Sequence, residues 1–144
     1  MKRTNNALKT SLLLLLALLM AVSLVACTQK VDKVGMWENA TYRKDTELGK
    51  GAITVQVEVK AEDQSITFTL HSDKTVLGDI LAEQELITGS EGAYGIFVET
   101  VNGMALPVEN AYWAVMKNGE YASTGVDGIT VADGEHYELV YETY

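Results

Sequence analysis

From Ile53 to Lys60 the apolar residues Ile53, Val55, Val57 and Val59 alternate with Thr54, Gln56, Glu58 and Lys60. After Ala61-Glu62-Asp63-Gln64-Ser65 the alternation resumes, with Ile66, Phe68 and Leu70 set against Thr67, Thr69 and His71. A period of two is that of a strand with one buried face, so this stretch predicts a β-hairpin. The period then lengthens. Val76, Leu77, Ile80 and Leu81 share one face at helical spacing and predict a short helix over about 75–84, with Asp73 or Thr75 placed as its N-cap. Gly78 within it costs about 1 kcal/mol relative to Ala, so the helix requires burial against a sheet.

Thr88-Gly89-Ser90-Glu91-Gly92 predicts a loop, and the run from Tyr94 to Val101 predicts a strand that ends at Asn102-Gly103. Met104 to Leu106 can return beside it until Pro107, the only proline, interrupts pairing. Ala111 to Glu142 holds three further turn signals, Asn118-Gly119, Asp127-Gly128 and Asp133-Gly134. Asn-Gly supplies the positive φ values of a two-residue type I′ hairpin. In the last run Tyr137, Leu139 and Tyr141 alternate with Glu138, Val140 and Glu142. Hairpin, helix and several short strands together predict an α+β domain, a mixed sheet with one helix packed across it, over residues 52–144.

The N-terminus follows another logic. Lys2, Arg3 and Lys9 precede the apolar run Ser11–Val22, which is too short for a settled membrane span and reads as a secretory signal peptide over residues 1–26. Leu24-Val25-Ala26-Cys27 then resembles the lipobox of bacterial lipoproteins, which implies cleavage before Cys27 and a lipid on its sulfur. A plain secreted protein would instead keep Cys27 as a free terminal thiol, and an uncleaved signal anchor would keep the helix. Cys27 is the only cysteine, so it closes no disulfide within the chain, and its position favours lipidation. Two acyl chains, at about 0.8 kcal/mol per buried CH₂, suffice for stable anchoring. The expected location is the extracytoplasmic face of the cell membrane. Residues 27–51 are polar and mixed in charge, and predict a tether of roughly 25–30 Å mean reach. Met36, Trp37 and Tyr42 within it either dock on the domain or become buried when a partner binds.

Three of the 11 basic residues and none of the 20 acidic ones lie in residues 1–26, so the remaining 118 residues carry a formal charge of −12. Nucleic acid is thereby an unfavoured partner. Catalysis finds little support, since His71 and His136 are the only histidines and each lies at an outward strand position without a serine or cysteine nucleophile nearby in sequence. Gly49-Lys50-Gly51 lacks the spacing of a phosphate loop. Asp127 and Asp133 do not fit a calcium loop, and two histidines make no four-ligand zinc site. The expectation is a non-enzyme without a metal or catalytic residue.

Aromatic residues carry the better signal. Tyr94, Phe97, Tyr112, Trp113, Tyr121, Tyr137 and Tyr141 concentrate in the second half. By alternation Trp113 and Val115 face one way and Tyr112, Ala114 and Met116 the other. One set is core, and the other forms an aromatic surface unless a neighbouring element covers it. Tyr112, Trp113, Met116, Asn118 and Tyr121 are the candidate ligand-binding residues.

Val101-Asn102-Gly103, Tyr112-Trp113, Lys117-Asn118-Gly119-Glu120-Tyr121-Ala122, Gly125-Val126-Asp127 and Asp133-Gly134, followed by Tyr137 and Tyr141, resemble the transcobalamin-like C-terminal domain of surface proteins and lipoproteins of Gram-positive bacteria. The resemblance covers about residues 52–144. It implies a β-grasp-like fold of the soluble-ligand-binding group and a cobalamin-like or other flat cofactor as ligand. In transcobalamin a large helical domain supplies much of the pocket; it has no counterpart in residues 52–144, and cobalt coordination is not carried over. At Met116, where the motif often has an aromatic or small apolar residue, this chain has methionine.

Two functions follow. In the first, a membrane-tethered module captures a flat cofactor at the Tyr112/Trp113 face for an importer. In the second, the domain is a protein-interaction or adhesion module of the cell surface without a small-molecule ligand.

Overall fold

A computed structural model describes residues 35–144. The signal peptide, the lipobox and Cys27 lie outside the described residues. Strands β1 (Thr46–Gly49), β2 (Ile53–Ala61) and β3 (Gln64–Ser72) precede α1 (Leu77–Glu83), the one α-helix among the described residues. Strands β4 (Ile87–Gly92), β5 (Gly95–Val101), β6 (Met104–Ala105), β7 (Ala111–Lys117), β8 (Glu120–Tyr121) and β9 (His136–Thr143) follow. Short 3₁₀ turns occupy Met36–Asn39 and Val126–Gly128.

A six-stranded mixed sheet has the order β1-β3-β2-β9-β7-β8, and β4-β5-β6 form a second, antiparallel sheet. The alternation in β2 and β3 sets their pairing, with Val57 opposite Phe68 and Val59 opposite Ile66 on the buried face. Strand β9 lies between β2, which it pairs in parallel, and β7, which it pairs antiparallel. Tyr137 and Leu139 therefore join Val55, Val57, Val59, Phe68 and Leu70 in one core, closed by Leu77, Ile80 and Leu81 of α1 and by Val98, Val101 and Met104 of the second sheet. The expected α+β class, mostly strands with one helix, is observed. Asn102-Gly103 (φ 51° and 79°) and Asn118-Gly119 (54° and 80°) have the two positive φ values of type I′ turns.

Three local expectations are corrected. The residues from Met36 onward belong to the domain, so the ordered unit does not begin at Ala52. Met36 and Trp37 are buried, the Trp37 indole donates to the Ala61 carbonyl at 2.8 Å, and Tyr42 packs edge-on against Phe68 at 5.6 Å. Strand β1 then pairs in parallel with β3, Thr46 opposite Phe68. Polar composition concealed this strand, because an edge strand with one half-open face has little need of apolar residues.

The helix has no side-chain cap, and Val76 stands at its N-cap position. Its entry is held by backbone pairing instead: Leu77 N–H donates to Ile129 O at 2.9 Å and Val131 N–H to Thr75 O at 2.8 Å. Asp73 accepts from Ala52 N–H at 2.9 Å.

The expected loop at Thr88–Gly92 is most of strand β4, with a bulge between Thr88 and Gly89. Main-chain pairing to β5 builds it, and its outer residues are exposed. Asp127-Gly128 sits in a turn as expected, a 3₁₀ turn whose aspartate links two elements. Asp127 Oδ2 accepts from Ile96 N–H at 2.8 Å, while a Cβ on Gly78 would stand 2.2 Å from Oδ1. Gly78 therefore lets α1 approach Asp127, a reason for glycine in a helix that spacing does not reveal.

Candidate ligand-binding surfaces

The five candidate residues divide between two faces of β7. Trp113 is 5% exposed, packs edge-on against Tyr141 at 5.9 Å and lies in the core; its Nε1 is buried with no hydrogen-bond partner among the described residues. Period two on both strands places Trp113, Leu139 and Tyr141 together inward, so Trp113 is not part of an open surface. Asn118 serves the β7–β8 turn. Tyr112 and Met116 face outward, and Tyr121 stands opposite Met116 on β8.

Register adds two residues that sequence reasoning did not name for this role, Glu142 and Tyr144. Tyr112 lies opposite Glu142, and its hydroxyl donates to Glu142 Oε2 at 2.6 Å. The Tyr121 hydroxyl reaches both oxygens of the same carboxylate, at 2.8 and 2.9 Å. Hydrogen bonding to Glu142, followed by burial, pushes the Tyr112 phenol up to about 12 and raises Tyr121 for the same reasons. The Tyr144 ring lies 6.0 Å from that of Tyr112, inclined at 52°. Backbone and side chain of Asn110 each make a 3.0 Å bond to the Tyr144 main chain, which holds the end of the strand in place. Alternation in both strands held the signal for Glu142; the missing information was which residues pair.

A cleft of about 500 Å³ opens between β5, β6 and the segment that enters β7. Phe97, Leu106, Pro107 and Val108 form its apolar wall, and Glu99 and Thr100 are polar groups in its lining. Phe97 and Val108 are about half exposed, 51% and 49%. Tyr94, just before β5, is 98% exposed. The volume lies within the range of small-molecule sites. Pro107 helps to make the cleft, because it ends the pairing of β6 and turns the chain away from the sheet.

A smaller hollow of about 310 Å³ is lined by Lys117, Thr124, Ile129 and Tyr137. At its rim Lys117 Nζ meets Glu135 at 2.5 Å, the Tyr137 hydroxyl donates to the same carboxylate, and Lys117 lies 5.4 Å from the Tyr137 ring centroid. Lys117, with help from Tyr137 and the Ala132 N–H, lowers the Glu135 carboxyl to about 2.

The histidines are outward, as alternation predicts, but His71 is not simply solvated. Its Nδ1 lies 3.0 Å from Thr54 Oγ1 and its Nε2 2.6 Å from Glu47 Oε1, so it joins β2, β3 and β1 across the sheet. His136 Nε2 lies 3.9 Å from Glu58. Among the described residues no group of three or more His, Cys, Asp or Glu is placed to hold a metal ion, and no helix is long and apolar enough to cross a membrane.

Residues 73–143 match the profile of a family described as a domain of unknown function, DUF4430. The match spans α1 to β9 and leaves out β1, β2 and β3. Among solved structures, a Ruminococcus gnavus protein described as a "putative metal binding protein" is similar at 27% identity and a TM-score of 0.61, over 65% of this chain and 99% of that one. Haptocorrin in complex with Cbi is similar at 19% identity and a TM-score of 0.54, over 67% of this chain but only 27% of haptocorrin. The likeness to the transcobalamin group is thus one of fold, and it concerns a minor part of haptocorrin. No curated protein sequence matches the chain.

Proposed function

We propose that the chain is a lipid-anchored extracytoplasmic module that binds a flat, largely apolar cofactor of corrinoid type and passes it to an importer. The observation that supports this reading is the cleft walled by Phe97, Leu106, Pro107 and Val108. It offers apolar surface to a ring face and, at Glu99 and Thr100, polar groups to a ring edge. The binding role named for haptocorrin supports the ligand class. The sequence expectation put the ligand at the Tyr112/Trp113 face; with Trp113 in the core, the cleft takes its place. The hairpin β2–β3, a helix whose Leu77, Ile80 and Leu81 enter the core with the sheet's inner residues, and the parallel β2–β9 pairing support a β-grasp arrangement. Metal binding receives less support, because the described carboxylates and histidines do not cluster.

The protein-interaction reading is supported by one observation, the 98% exposure of Tyr94 beside a half-exposed Phe97. One experiment separates the two. Cobinamide and cobalamin are titrated by calorimetry into the wild type and into Phe97→Ala and Val108→Glu. Saturable binding that both variants weaken supports the cleft, and no heat at millimolar ligand refutes it.

A further inference from the structure

The tyrosine cluster on the outer face adjoins the Glu109–Ala111 end of the cleft and has a chemistry of its own. Glu142 forms no salt bridge with Lys, Arg or His among the described residues, so its charge is not neutralised by a neighbour. Both of its oxygens nevertheless already accept phenol hydrogens, from Tyr112 and Tyr121. The charge remains available while much of the acceptor capacity is occupied. Around it stand three aromatic rings. Tyr121 and Tyr144 are 62% and 82% exposed, and the Tyr112 and Tyr144 rings meet at an angle, 6.0 Å apart, in place of a flat platform.

We propose that Tyr112, Tyr121 and Tyr144, arranged around Glu142, bind a quaternary ammonium group. Such a cation carries no N–H, so it needs no free lone pair on the carboxylate; it needs nearby negative charge and π faces. A primary ammonium, a guanidinium or a sugar hydroxyl would bring donors that share the carboxylate's roughly four lone-pair sites with the two phenols, whereas a quaternary cation asks nothing of those sites. The two hydroxyl bonds to Glu142 fix the rings of Tyr112 and Tyr121 before any ligand arrives, which lowers the ordering cost of binding. The main chain of Tyr144 is held separately by Asn110, and its hydroxyl lies 3.5 Å from the Glu109 carbonyl. The formal charge of −12 on residues 27–144 favours approach of a cation in general.

The test uses the full-length chain in dodecyl maltoside, titrated with choline, with tetramethylammonium and with 3,3-dimethylbutan-1-ol, the uncharged carbon isostere of choline. Tyrosine ring signals and calorimetry report binding. The expected result is saturable binding of both cations, no binding of the isostere, and a loss of roughly tenfold or more in Glu142→Gln and in Tyr144→Leu. Phe97→Ala leaves it unchanged, which separates this site from the cofactor cleft. Phosphatidylcholine vesicles against phosphatidylglycerol vesicles distinguish a lipid headgroup from a free small cation as the source. Equal binding of the neutral isostere, undiminished binding in Tyr144→Leu, or binding of methyl glucoside with no response to choline would each overturn the proposal.

Discussion

Asn102 offers the sharpest test of how the N-terminal segment is joined to the domain. It is 1% exposed, and its φ of 51° belongs to the left-handed region. Its side chain holds Tyr42 from both sides, accepting from the Tyr42 N–H at 2.9 Å and donating to the Tyr42 carbonyl at 2.8 Å. Its own N–H donates to Leu86 O at 2.8 Å, and its carbonyl accepts from Thr41 N–H at 2.9 Å. Asn102→Ala removes the two side-chain bonds, at about 1 kcal/mol each, and places a non-asparagine residue in the left-handed region for about 1 kcal/mol more. Stranded polar groups on Tyr42 add to this, so the loss is about 2–4 kcal/mol. For a domain of this size that lowers Tm by roughly 8–16 °C. Asn102→Gly removes the same bonds but relieves the backbone, and recovers about 1 kcal/mol of the loss. Thermal unfolding of residues 28–144 followed by tryptophan fluorescence measures both, since Trp37 lies in the segment that Asn102 secures. An Asn102→Ala protein within 2 °C of the wild type would refute the clamp, and equal losses in the two variants would refute the backbone contribution.

The remaining predictions follow the same physical lines. Trp37→Ala empties a buried site and strands the Ala61 carbonyl, and urea denaturation is expected to show a loss of about 3–5 kcal/mol. Gly78→Ala, which improves helix propensity by about 1 kcal/mol, is expected to destabilise because the new Cβ meets the Asp127 carboxylate; in an Asp127→Ala background, where only the backbone N at 3.3 Å remains close, the same change costs less, and the double-mutant cycle reads the difference. Gly119→Ala meets no atom within 4 Å, so its cost reduces to the strain of φ +80°, about 1 kcal/mol in the same denaturation assay. The Glu135 carboxyl, lowered from 4.5 to about 2 first by Lys117, contributes stability that is complete above its ordinary value and is lost as pH falls toward 2. Glu135→Gln is therefore expected to flatten the acid limb of a stability profile between pH 4.5 and 2; an unchanged slope would show that the carboxylate is equally free in the unfolded chain.

Legibility in the sequence followed the periodic signals. The β2–β3 hairpin, the helix, the Asn-Gly turns and the inward set Tyr137, Leu139 and Tyr141 were all readable, because a buried face imposes a period and a left-handed turn imposes its residue types. Strands β1 and β4 were not, since their stability comes from main-chain pairing with a neighbour and their side chains are mostly polar. The roles of Gly78 and Asp127 were hidden for a related reason: two residues 49 positions apart can explain each other only once the chain has folded. Of the candidate site, the composition was legible and the geometry was not. Tyr112, Met116 and Tyr121 do share an outer face, but Trp113 turned inward and Glu142 and Tyr144 joined through a register that alternation leaves open. The cleft at Phe97 and Val108 gave no local signal beyond Pro107, because no single segment forms it.

The place of β9 sets the order in which this protein can fold. Gln56 pairs with His136 across 80 positions, so the β1-β3-β2 half and the β7-β8 half of the large sheet are connected by hydrogen bonds only through β9. Until residues 136–143 are available, the hairpin and the helix have no common sheet to close upon, and the inward tyrosine of β9 is missing from the core. Such long-range pairing makes folding slow compared with local contacts. A truncation before Tyr137 leaves the β1-β3-β2 and β7-β8 half-sheets without a seam.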